Sequence, residues 1–82
     1  MNETPALELD CRGLLCPRPV IELARRLDDV PVGTVIAVVT DDAAAAQDIP
    51  AWCRMREQEY VGADLADDGV ARYLVRRTGS GG

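Results

Sequence analysis

The string Cys16-Pro17-Arg18-Pro19 stands immediately ahead of an amphipathic segment and puts a thiol where a helix is expected to begin. Proline suits the first turn of a helix, whose amides have no intrahelical partner. The string therefore predicts Cys16 at the N-cap, with Pro17 and Pro19 at the first and third helical positions. In that arrangement the Arg18 amide is free to donate toward the sulfur, the Arg18 guanidinium can add its charge by folding back, and the helix end contributes about half a positive charge. Such surroundings lower a thiol pKa from about 8.5 into the range of roughly 3.5 to 7.5. The chemistry to expect is that of a thiolate nucleophile, or of a persulfide anion held by the same field, with the prolines stiffening the turn so that the sulfur faces outward. Serine, threonine or aspartate would cap a helix better than cysteine, which weakens a purely structural reading of Cys16. The motif by itself does not name the reaction.

The other chemistry-bearing residues have plainer readings. Cys11, five positions earlier, is a small residue at a strand end, or else a second thiol that resolves a Cys16 persulfide or pairs with it as a redox switch. Cys53, beside Trp52 on an apolar stripe, reads as an inert buried thiol. Three cysteines are one too few for a tetrahedral zinc site and too few for a stapled secreted scaffold, and an odd count leaves at least one thiol free. Asp41-Asp42 and Asp67-Asp68 are adjacent pairs of the kind that turns and helix caps use, and adjacent residues do not share a face. Arg18, Arg25 and Arg26 are either a solvated helix face or a basic rim round the thiol for an acidic partner. Arg72, Arg76 and Arg77 read as charges guarding a sheet edge or open face.

Composition narrows the function further. The chain has 82 residues, 14 acidic and 9 basic side chains, a net charge of −5 and 48% apolar residues, which describes one small domain. Histidine, lysine and phenylalanine are absent, so all nine basic residues are arginine. Hydrolases built on a Ser-His-Asp or Cys-His arrangement, Schiff-base lysines and His-ligated metals are thereby excluded. No cofactor or metal is expected. An acidic chain with scattered arginines has little pull on a phosphate backbone, so nucleic-acid binding is disfavoured. No apolar stretch approaches the roughly 20 residues that cross a bilayer, and the first residues lack a signal-peptide pattern; a cytoplasmic monomer is expected.

The elements that must position Cys16 follow from local periodicity. Leu7-Glu8-Leu9-Asp10-Cys11 alternates as a strand with one buried face. Gly13, free to adopt positive φ, turns the chain toward Cys16. Val20, Leu23, Ala24 and Leu27 form one helical stripe, ended by Asp28-Asp29-Val30-Pro31. Val35 to Val39 is a continuous β-branched run, suited to a central strand. Thr40-Asp41-Asp42 offers cap oxygens to a second helix with the stripe Ala45, Ile49, Trp52 and Cys53, which Pro50 is expected to kink or restart. Two strands, Glu59 to Ala66 and Val70 to Arg77, flank the turn Asp67-Asp68-Gly69. The order β-α-β-α-β-β predicts an α+β two-layer sandwich, a mixed four-stranded sheet with both helices on one face. Residues 1–5 are expected to be a flexible N-terminus, 6–77 the single domain and 78–82 a flexible Gly/Ser tail.

At this point the chain resembles a known family. Leu9-Asp10-Cys11-Arg12-Gly13-Leu14-Leu15-Cys16-Pro17-Arg18-Pro19-Val20 is similar to the signature of the TusA (SirA-like) sulfur carriers. Thr40-Asp41-Asp42, Asp48-Ile49-Pro50-Ala51-Trp52-Cys53 and Tyr73-Leu74-Val75 extend the likeness over nearly the whole chain. The resemblance implies a sulfur carrier that takes sulfane sulfur on Cys16 as a persulfide from a cysteine desulfurase or rhodanese. It would relay that sulfur to a downstream acceptor in tRNA thiolation, molybdenum-cofactor assembly or sulfur oxidation. It also implies a fold like the C-terminal domain of a translation initiation factor, and support of the Cys16 loop by Asp10 and Gly13 beside Pro17, Arg18 and Pro19. A non-catalytic regulatory module of the same fold is the alternative function. The closing Gly81-Gly82 is shared with ubiquitin-like carriers, whose β-grasp order this chain does not follow.

Overall fold

The computed structural model describes residues 4–15 and 17–79. In chain order it contains β1 (Leu7–Asp10), α1 (Arg18–Arg26) continued by a short 3-10 turn (Leu27–Asp29), β2 (Val35–Val39), α2 (Ala45–Arg56), β3 (Glu59–Leu65) and β4 (Ala71–Arg76). The sheet order is β1-β2-β4-β3, with β1 parallel to β2 and β4 antiparallel to both of its neighbours. This is the α+β sandwich that periodicity predicts.

Register explains which face is buried. Leu7 and Leu9 sit opposite Ile36 and Val38, which in turn face Val75 and Tyr73. These side chains form the floor on which Leu23 and Leu27 of the first helical segment and Ala45, Ile49, Trp52 and Cys53 of α2 pack into one core. Both helical stripes therefore land on the same side of the sheet. Extra Val61 shifts the β3 register between Tyr60 and Gly62 and bends that edge strand.

The opposite face carries no helix, yet Val35, Ala37 and Val39 are at most 1% exposed. Arg72 supplies part of the cover. From β4 it pairs bidentately with Asp64 of β3, at 2.7 Å for both contacts, and reaches Glu8 of β1 at 3.1 Å. Since β2 lies between β4 and β1, the arginine must cross it, so its aliphatic stem shields valine while its charge stays wet. Arg76 pairs with Glu59 at 3.1 Å, and Arg77 with Asp28 at 3.3 Å. All three C-terminal arginines are thus partnered, Arg72 and Arg76 on the helix-free face and Arg77 against the end of the first helical segment.

Three local expectations shift. Proline does not restart α2: the helix runs through Pro50 from Ala45 to Arg56. The carbonyl four residues back belongs to exposed Ala46, where water can replace the missing donor, and burial of Ile49, Trp52 and Cys53 holds the second half in place. The cap oxygens act just before the helix, where Asp42 Oδ1 accepts the Ala44 amide at 3.0 Å and Thr40 Oγ1 accepts the Asp42 amide at 3.1 Å. Thr78, assigned to the tail from sequence, is tied down instead, its amide donating to Gln58 Oε1 at 2.8 Å and its hydroxyl to the Glu57 carbonyl at 2.7 Å. Gly81-Gly82 and the first three residues lie outside the described residues.

Candidate functional site

Cys16, the central residue expected from the sequence, lies outside the described residues, but the chain on both sides of it is defined. Leu15 is 74% exposed, and Pro17 is exposed as well. Pro17, not Cys16, is the N-cap of α1. The reason is visible in the first hydrogen bonds: Ile21 donates to the Pro17 carbonyl at 3.0 Å, making Pro17 the first helical acceptor. Arg18 and Pro19 are consequently the first and second helical positions. The Arg18 amide, expected to be free for the sulfur, donates to the Leu15 carbonyl at 2.8 Å instead. Pro19 is buried and, with Leu23, anchors the helix start to the core.

Upstream, the segment leaving β1 is held by contacts from three directions. Leu14 donates to the Cys11 carbonyl at 3.1 Å, closing a turn in which Gly13 takes φ 79°, a left-handed conformation that glycine adopts without a Cβ penalty. The Gly13 amide donates to Asp41 Oδ1 at 3.1 Å. Arg12 places Nε and Nη2 on the two carboxylate oxygens of Asp68 at 2.9 and 3.2 Å, and Nη1 on Asp10 at 3.0 Å. Asp10 also accepts the Arg12 amide at 3.2 Å. Hydrogen bonds from Arg12 hold the Asp10 and Asp68 carboxyls below the ordinary aspartate range. Asp10 is thus tied to Arg12, two residues on, and the Gly13 amide to Asp41. The contacts of Arg12 with Asp68 and of Gly13 with Asp41 have no signal in the sequence: the partners are 56 and 28 positions apart, and no spacing rule connects them.

The remaining thiols are withdrawn. Cys11 is 2% exposed, and its pKa is raised first by burial, then by the Glu22 and Asp10 carboxylates, against the opposing charge of Arg18. Cys53 is 1% exposed, and burial pushes it up to about 11. A thiol that is harder to ionise in the folded chain than in the unfolded one contributes stability below its unfolded pKa and loses it as pH rises. Unfolding free energy is expected to fall between pH 9 and about 11, by up to about 1.4 kcal/mol per pH unit for Cys53. Tyr60, also raised by burial, acts in the same direction. Urea titrations across this range check it: Cys53→Ala should flatten the decline, and an equally steep decline in that variant would refute the assignment.

Two depressions adjoin the segment. One, of about 320 Å³, is polar and is lined by Asp10, Cys11, Leu14, Arg18 and Glu22 among others. The other, of about 240 Å³, is mostly apolar and runs between Pro17 and Val20 of the α1 start and Trp52 and Met55 of α2. The expected basic rim is partly neutralised, because Arg25 pairs with Glu22 at 3.1 Å and Arg26 with Asp29 at 2.6 Å. Among the described residues no carboxylate lies within ion-pair distance of Arg18, none of the His/Cys/Asp/Glu groupings could hold a metal ion, and no helix is long and apolar enough to cross a membrane.

Comparison with known proteins gives the family and the fold. The family described as sulfurtransferase TusA matches residues 7–77. A protein of Archaeoglobus fulgidus assigned as a sulfur carrier is 38% identical over 69 residues, covering 84% of this chain and 90% of that protein. The sulfur carrier protein TusA of Pseudomonas syringae is 37% identical over 76 residues, covering 93% and 89% of the two chains. The crystal structure of a SirA-like protein from Desulfitobacterium hafniense superposes with a TM-score of 0.74 over 88% of this chain and 97% of that one; at 22% identity it speaks for the fold. With a match spanning all four strands and both helices, the chain belongs to the TusA sulfurtransferase family of sulfur carriers.

Proposed function

We propose that this protein carries sulfane sulfur as a persulfide on Cys16. A cysteine desulfurase or rhodanese is the donor and a downstream sulfur-acceptor protein the recipient, in the cytoplasm. The Cys16 thiolate attacks the outer sulfur of the donor persulfide. A sulfur–sulfur bond forms at Cys16 as the donor's own breaks, and the donor departs as a thiolate, so no external oxidant or reductant is consumed. Delivery repeats the step, with an acceptor thiolate attacking the sulfur that Cys16 holds. Without histidine or lysine anywhere in the chain, general-base help from this protein is minimal. Activation rests on the positive end of α1, which begins two residues after Cys16. Transfer to tRNA thiolation, molybdenum-cofactor assembly or sulfur oxidation all fit this chemistry; the partner determines which.

The observation that carries the proposal is the contrast among the three cysteines. Two are buried with raised pKa values, while the third sits in sequence between exposed Leu15 and exposed Pro17. Burial of Cys11 also weighs against a disulfide switch. Intact-mass analysis after incubation with a cysteine desulfurase and cysteine tests the reading. Wild-type protein and Cys11→Ser are expected to gain sulfur, and Cys16→Ser to gain none. Sulfur that survives Cys16→Ser and vanishes with Cys11→Ser would overturn it.

A further inference from the structure

The segment from β1 to α1 is fixed at its downstream end by buried Pro19 and at its upstream end by buried Cys11. Between them, Arg12, Gly13 and Leu15 are exposed and have little core packing to hold them. Two of the contacts that restrain this stretch come from other parts of the fold: Asp41, in the connection from β2 to α2, and Asp68, in the turn between β3 and β4. The fold thus brings three loops together at one end of the sheet, and Arg12 and Gly13 are where they meet.

We propose that Arg12, Asp41 and Asp68 are positioning residues for sulfur transfer, a clamp that sets the course of the backbone into Cys16. This rests on the reading of Cys16 as the sulfur-bearing residue. Asp41 fixes the backbone directly, by accepting the amide of the left-handed Gly13. Asp68 acts through Arg12, whose planar guanidinium meets both carboxylate oxygens and so restrains orientation as well as distance. Solvent-exposed ion pairs of this kind contribute little to overall stability, so the main consequence of the clamp is geometric. Thiol–persulfide exchange needs the attacking and leaving sulfurs held in line, and small misplacements of a reacting group cost rate steeply.

The test is single-turnover sulfur loading from a saturating cysteine desulfurase and cysteine, followed by quenched intact mass, with amide hydrogen exchange and thermal melting in parallel. Asp68→Ala and Asp41→Ala are expected to slow loading roughly three- to tenfold, with nearly unchanged melting and faster exchange at Gly13 and Leu14. Asp68→Glu and Asp41→Asn, which keep an acceptor in place, should recover most of the rate. Working at saturating donor separates positioning from docking, because a lost docking contact would be recovered by excess donor. Wild-type loading rates in both alanine variants, or no recovery in the conservative ones, would overturn the clamp. A wild-type protein that gains no sulfur on Cys16 would refute the underlying reading instead. The clamp's structural half would then stand or fall on whether exchange at Gly13 accelerates in Asp41→Ala.

Discussion

In the native chain at pH 8, a thiol-specific reagent is expected to modify Cys16 rapidly and to leave Cys11 and Cys53 almost untouched until the protein unfolds. The thiolate is the reactive form, and burial pushes the Cys53 thiol up to about 11, so that very little of it is ionised at pH 8. Burial multiplies this, because a side chain at 1–2% exposure cannot admit the reagent without local opening. The sites should therefore differ by at least two orders of magnitude in rate. The measurement is a time course of alkylation read by peptide mass, with and without urea. Native protein should show one fast site and denatured protein three equivalent ones. A fast site that persists in Cys16→Ser, or two fast sites in wild type, would show that a second thiol is available for exchange. The Cys11 resolving role would then return.

The largest effect on stability is expected at Leu23. This side chain is fully buried in the core shared by α1, α2 and the sheet. Truncating such a leucine to alanine costs about 2–5 kcal/mol through lost transfer energy and the cavity left behind. A chain of 82 residues has only about 4–12 kcal/mol in total. Ile21, two residues earlier on the same helix and 43% exposed, provides the contrast; Ile21→Ala should change stability by roughly 0.5 kcal/mol or less. Urea unfolding of the two variants measures the difference directly, and comparable losses would mean that α1 presents a different face to the sheet. The result matters for function because Leu23 holds the helix whose first turn follows Cys16. Loosening it should slow sulfur loading as well.

Much of the fold is local information. The alternation of Leu7 and Leu9, the stripe Leu23, Ala24 and Leu27, the run Val35 to Val39 and the stripe Ile49, Trp52 and Cys53 are all buried or partly buried as their spacing predicts. Each is encoded within one or two turns of chain. The site was legible to the extent that it is local too. The Cys-Pro-Arg-Pro string, the positive φ of Gly13 and the contact of Asp10 with Arg12 all lie within a few positions of one another in sequence. The helix start was misplaced by one residue because the competing acceptor, the Leu15 carbonyl, becomes available to the Arg18 amide only when the preceding turn has formed.

From sequence alone come the identity of the sulfur-bearing candidate, the order of the elements and the absence of imidazole and side-chain amine groups, since all of these depend on which residues exist and how they are spaced. Tertiary structure decided that β4 inserts between β2 and β3, that Arg72 crosses β2 to reach Glu8, and that Cys11 and Cys53 are sealed away. It also decided that Asp41 and Asp68 hold the segment leading to Cys16. The physical reason is range: helical and strand periodicities act between near neighbours. An ion pair between residues 56 positions apart exists only because packing the helices on one face gathers these loops at one end of the sheet.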